Sequence, residues 1–79
     1  MEWKRIQIFI KVAQHKSFTE ASMVLKKSQS TLSRDIIKLE KKAGYNVFFR
    51  NIKGIKLTEK GKKLLIIANE FNSKLKYLT

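Results

Sequence analysis

Along most of the chain the apolar positions recur every three or four residues, the period of a helix packed on one side. Trp3, Ile6, Ile10 and Ala13 form one stripe, widened by Phe9 and Val12. They predict a first helix that stops near His15 and Lys16. Phe18, Ala21 and Leu25 repeat the spacing on a short second helix. "SFTE" opens it as a capping box, with Ser17 as the cap and Glu20 reaching back to the backbone. The charges of Lys26 and Lys27 suit its C-terminal end. Leu32, Ile36, Leu39 and Ala43 then mark a third helix, capped by Ser28 and stopped by Gly44. Two short helices joined by a tight turn make the helix-turn-helix pattern.

After Gly44 the period changes. "VFFR" and "IKL" are short β-prone runs and predict a hairpin of Val47–Arg50 with Ile55–Leu57, its turn relaxed by Asn51 and Gly54. Thr58 caps a fourth helix, with Glu59 in its first turn. Leu57, Gly61, Leu64, Ala68, Phe71, Leu75 and Leu78 follow at spacings of 4, 3, 4, 3, 4 and 3, a heptad seam. A second stripe, Leu65 and Ile66, is available to the first helix. A helix with two apolar sides has two partners: its own domain and a twin helix. The plainer alternative is that Leu75 and Leu78 fray in solvent. The expected fold is mainly α: a winged helix-turn-helix with three helices, a β-hairpin wing and a C-terminal dimerisation helix. Residues 1–57 are expected to form the winged helix-turn-helix domain and 58–79 the dimerisation helix, within one compact unit.

Composition narrows the function. A chain of 79 residues without cysteine or proline has a core near the lower limit for folding alone. The missing stability points to a partner, most simply a second copy. Eighteen Lys+Arg against 6 Asp+Glu leave a net charge of +12, which favours a polyanion: DNA, RNA or an anionic membrane surface. A solvated, lysine-rich surface explains part of that excess but not its lopsidedness. The segment from Met1 to Lys16 has no apolar signal core, and the longest apolar run, Leu64 to Ala68, is too short to span a bilayer. Cytoplasmic location is the expectation. The single histidine, the lack of cysteine, the sparse acids and the absence of a phosphate-cradling glycine loop argue against an enzyme, and no metal or cofactor is expected. His15 reads as a surface residue at a helix end.

With Leu32 at the centre of the buried face, a turn of ~100° per residue puts Ser30, Ser33, Arg34, Ile37 and Lys41 outside. Gln29 lies at the flank near the helix N-terminus. This set suits a DNA major groove. Glutamine can bond adenine and arginine can bond guanine in bidentate fashion. Short hydroxyl side chains let the helix approach closely and reach bases or phosphates. Thr31 and Lys38 complete the candidates on this helix, and Thr19 and Ser28 stand beside them. For Ser28 the capping role comes first. Arg50, Lys53 and Lys56, expected near the hairpin tip, are candidates for the DNA backbone or minor groove. On the last helix the candidate dimer contacts are Leu64, Ala68, Phe71, Leu75 and Leu78.

These residues resemble the N-terminal winged helix-turn-helix domain of LysR-type transcriptional regulators. The likeness runs through Phe9, Val12, Ala13, "SFT" at Ser17–Thr19, Ala21, Leu25, "SQS" at Ser28–Ser30 and "LSR" at Leu32–Arg34. It continues through Ile36, "LE" at Leu39–Glu40, Gly44, Phe48, Arg50, "LT" at Leu57–Thr58 and Gly61, in one register without gaps. The resemblance implies a recognition helix with Gln29, Ser30, Ser33 and Arg34 at DNA-contacting positions. Lys53 stands at the wing position where the family often has arginine. The fourth helix is then a linker helix that pairs with its twin, and the dimer binds interrupted inverted repeats in double-stranded DNA near promoters. Departures are Ser30 for a frequent proline, Ser22 for an alanine, Ala43 for a leucine, and Phe49 and Ile37 at commonly polar sites. Full-length relatives continue into a ligand-binding domain, and no sensor is expected in these 79 residues.

The leading expectation is sequence-specific DNA binding by a homodimer that regulates transcription. The alternative is a short interaction protein that heterodimerises with related regulators and antagonises them. Membrane-surface binding by the basic last helix ranks below both, because the apolar side of that helix is needed by the fold.

Overall fold

The structure, a computed structural model, describes residues 2–78, so Met1 and Thr79 lie outside it. The elements run α1 (Trp3–Val12), α2 (Phe18–Leu25), α3 (Gln29–Ala43), β1 (Phe48–Asn51), β2 (Gly54–Leu57) and α4 (Glu59–Leu78). The strands form one antiparallel hairpin in which Phe48 faces Leu57 and Arg50 faces Ile55.

Helix α1 is the hub. It packs against α2, α3 and α4, and it buries Ile6, Ile8, Phe9, Ile10 and Val12. This buried face is broader than a single stripe, because helices contact α1 on several sides. The largest fully buried side chains are Phe9, Val12, Leu32, Ile36, Leu39 and Val47. Phe48 joins the hairpin to it, with ring centroids 5.5 Å from Phe9 and 6.3 Å from Phe18.

The caps explain where the helices begin. The Ser17 hydroxyl accepts from the Glu20 N–H at 3.0 Å, and the Ser28 hydroxyl accepts from the Thr31 N–H at 3.1 Å. The expected capping box is only half made. The Glu20 carboxylate does not return to the backbone; it meets His15 Nδ1 at 3.1 Å. His15 is therefore largely covered and partnered, rather than a surface helix end. The α2–α3 turn depends on Lys26, which adopts left-handed geometry at φ 56°.

Between α3 and the hairpin, Glu40 holds the chain. Its Oε2 accepts from the Val47 N–H at 2.8 Å and from the Phe48 N–H at 3.4 Å. Val47 is thus drawn into the core, and the strand starts one residue later than expected. Thr58 caps α4, accepting from the Gly61 N–H at 2.9 Å while donating to the Asn46 carbonyl at 2.7 Å.

Gly61 is a contact point, not a seam residue. A Cβ there would overlap the Val47 carbonyl oxygen, so only glycine lets α4 lean on the end of the core. Ala68 is 3% exposed within the single chain, and Leu64 and Leu65 pack beside the same core. Phe71 meets Trp3 edge-on at 4.9 Å. The expected assignment of faces is therefore corrected. Leu64 and Ala68 of the heptad seam pack on the chain's own core and Phe71 meets α1, whereas Ile66, expected against α1 with Leu65, is exposed together with Ile67.

Candidate nucleic-acid interface

The N-terminal half of α3 is anchored from inside and open outside. Leu32 and Ile36 are buried, while Gln29, Ser30, Arg34, Ile37 and Lys38 are exposed. The side chains of Gln29, Arg34 and Lys38 make no hydrogen bond or ion pair with the described residues, so their polar groups face solvent. The hydroxyl groups behave differently. Ser28 Oγ donates to Thr31 Oγ1 at 2.8 Å and lies 3.2 Å from Ser30 Oγ. Thr31 is half-buried, and its Oγ1 accepts the Ser28 proton within this cap.

Thr19 is exposed at the start of α2. With Gln29, Arg50, Asn51 and Ile52 it borders a shallow groove of about 200 Å³ between α2, α3 and the hairpin. The structure thus brings the start of both helices and the wing to one side of the molecule. Of the acidic side chains near that region, Glu20 hydrogen-bonds His15 and Glu40 pairs with Arg50, whereas Asp35 on α3 makes no hydrogen bond or ion pair with the described residues. On α3 itself Arg34, Lys38, Lys41 and Lys42 outnumber Asp35 and Glu40, so the field there is positive on balance.

The wing corrects two expectations. Arg50 is not at the tip. It sits on the inner face of β1, where its Nη1–H donates to Ser33 Oγ at 2.8 Å and its Nη2 lies 3.5 Å from Glu40 Oε1. Its guanidinium also stands 4.7 Å from the centre of the Phe18 ring. Lys56 faces away from α3. It pairs across the hairpin with exposed Phe49, beside Lys60 and Lys62 at the start of α4. Only Lys53 lies at the turn, where its N–H donates to Asn51 Oδ1 at 2.9 Å. Gly54 closes the turn at φ 136°, and a Cβ there would overlap the Lys16 carbonyl. That carbonyl accepts the Ile55 N–H at 2.9 Å, which ties the wing to the α1–α2 connection.

Two features were not foreseen. Ile52, fully exposed beside Lys53, makes the wing tip partly apolar. The Ser33–Arg50–Glu40 network joins elements far apart in sequence, and no local pattern announces it. Among the departures, Ser22 is satisfied by donating to the Thr19 carbonyl at 2.7 Å. Ile37 is exposed as the helical period required.

Three helices, a hairpin wing and an exposed, capped third helix define a winged helix-turn-helix domain. Residues 3–62 match the model of the bacterial regulatory helix-turn-helix proteins of the lysR family, and the chain belongs to that family. It is 43% identical over 68 residues to the HTH-type transcriptional activator IlvY of Haemophilus influenzae, covering 86% of this chain and 23% of the relative. It is 39% identical over 61 residues to the HTH-type transcriptional regulator BudR of Klebsiella aerogenes, covering 77% of this chain and 43% of that one. The chain therefore spans well under two thirds of these curated relatives. Its fold matches that of CbnR_DBD in a DNA complex with a TM-score of 0.90 and 28% identity, over 98% of this chain and 88% of the other. The BenM_DBD complex with benA site 1 DNA gives a TM-score of 0.89 and 29% identity, over 99% and 91%. Among the described residues no helix is long and apolar enough to cross a membrane, and no cluster of potential metal ligands occurs.

Proposed function

We propose that this chain binds double-stranded DNA sequence-specifically and regulates transcription as a homodimer. The observation that carries the reading is the outer face of α3. Gln29, Arg34 and Lys38 stand exposed and unpaired on a helix held rigidly by its cap and its core side. Gln29 and Arg34 read base edges in the major groove, and Lys38 and Thr19 contact the backbone. Ser30 and Ser28 contribute hydroxyls at the helix N-terminus, where phosphate is favoured. Lys53 enters the minor groove or follows its edge. The kinship with regulators, and the DNA-bound domains that share the fold, support the same reading.

Pairing is assigned to α4, the helix that follows the reading head. The expected contacts were Leu64, Ala68, Phe71, Leu75 and Leu78. Burial of Ala68 in the chain's own core moves the interface outward, to Ile66, Ile67, Phe71 and Leu78. Their exposure also favours a second reading, in which α4 pairs with a longer relative of the same family.

The test is selection of genome fragments by the purified chain near physiological salt, with sequencing of the bound DNA. An interrupted inverted repeat is expected, because two copies related by a two-fold axis read two half-sites. Sequence-blind, salt-sensitive binding alone would reject the specific-regulator reading and favour pairing with a relative.

A further inference from the structure

Arg50 stands on the wing, so contact with a DNA phosphate is the simple expectation for its charge. The geometry gives it other work. Its guanidinium bonds Ser33 Oγ at 2.8 Å, approaches Glu40 Oε1 at 3.5 Å and faces the Phe18 ring at 4.7 Å. Glu40 in turn holds the N–H groups of Val47 and Phe48. Arg50 is thus a cross-brace between the wing and the recognition helix, with its side chain only 32% exposed.

The direction of the Arg50–Ser33 bond matters. A guanidinium has only donors, so the Ser33 hydroxyl must accept. The bond from Arg50 is the only side-chain hydrogen bond that Ser33 makes among the described residues. Its own proton and its second lone pair are therefore left for groups outside the protein. In the major groove, guanine, adenine and thymine each offer an acceptor, whereas cytosine offers only its amino donor.

We propose that Arg50 is a positioning residue that fills one lone pair of Ser33 and turns its proton outward, so that Ser33 favours a base with an acceptor edge over cytosine, which would leave that proton unpartnered. This inference rests on the DNA-reading function proposed above. It assigns Arg50 a role in specificity rather than in phosphate binding.

The experiment compares the parent chain with Arg50→Lys and Ser33→Ala. Each is given DNA pools randomised over the selected site, and binding is repeated over a salt series. Thermal unfolding checks that each variant is folded. Lysine keeps the charge but cannot brace Ser33 and Glu40 with one planar fork. The expected result is a single base step at which the parent disfavours cytosine by about fivefold, in line with one neutral hydrogen bond. Ser33→Ala and Arg50→Lys both flatten that step to under about twofold, with other steps and the salt slope unchanged. Base preferences of Arg50→Lys equal to the parent's would overturn the proposal. So would an Arg50→Ala variant that weakens all sequences evenly and lowers the salt slope by about one, the mark of a phosphate contact. Should Arg50→Lys not fold, Ser33→Ala still decides: no flattened step means no reading by Ser33. If the parent itself selects no sequence, the DNA-reading function fails and this inference falls with it.

Discussion

The ring of Phe71 meets the ring of Trp3 edge-on, at 4.9 Å and 79°. This contact fixes the middle of α4 to the first residue of α1. Such a pair is worth ~0.5–1.5 kcal/mol beyond the area it covers. Phe71→Ala is therefore expected to lower stability by about 1–2 kcal/mol, read from urea unfolding. Trp3 is the sole tryptophan, so its emission should also shift to the red in the folded variant. An unchanged emission maximum would mean that the two rings are apart in solution.

Ile66 and Ile67 are 60% and 63% exposed and contribute little to the single chain's core. Replacing both by lysine should leave the unfolding of the dilute chain within about 0.5 kcal/mol of the parent. Self-association, followed by light scattering across a concentration series, should weaken tenfold or more, about 1.4 kcal/mol. Equal association of parent and variant would move the pairing surface away from this side of α4.

Gly61 offers a sharper stability test. Alanine is normally the better helix former, by up to ~1 kcal/mol. Here the added methyl would run into the Val47 carbonyl, which is backbone and has little room to give. Gly61→Ala should therefore destabilise by roughly 1–3 kcal/mol, against its helix propensity. A gain in the urea midpoint would show that α4 can lift off Val47 at no cost.

Arg34 and Lys53 should differ in kind. Arg34→Ala removes an unpaired fork from the reading face of α3 and is expected to relax base preference by about 1–3 kcal/mol at its own position. Lys53→Ala, at the hairpin turn, should weaken all sequences alike and reduce the salt slope by about one. Quantitative binding to target and scrambled duplexes separates the two. Equal losses on both duplexes for Arg34→Ala would end its assignment as a reader.

The fold was legible where the cause is local. Ser17, Ser28 and Thr58 each precede an apolar repeat, and each caps the helix it announces. β1 starts one residue later than the apolar pattern predicts, because the Val47 N–H is claimed by Glu40 from another element. On α4, periodicity revealed two apolar faces but could not say which meets the domain. The carbonyl of Val47, against Gly61, decides that, and it is invisible in a one-dimensional pattern. The same limit applies to the candidate interface. The exposure of Gln29 and Arg34 follows from helical geometry around Leu32. The engagement of Arg50 depends on where the hairpin folds back, as does the turning of Lys56 towards α4.

The Ser33–Arg50–Glu40 brace divides the reading surface into two kinds of position. Gln29, Arg34 and Lys38 bond nothing else in the described chain, so each can be exchanged without asking anything of its neighbours. Ser33 differs, because its hydroxyl also receives a bond from the guanidinium that approaches Glu40 at the entry to the wing. A lineage retargeting this domain to a new operator would find the first three positions open to single steps. A change at Ser33 would also release its bond from Arg50 on the wing.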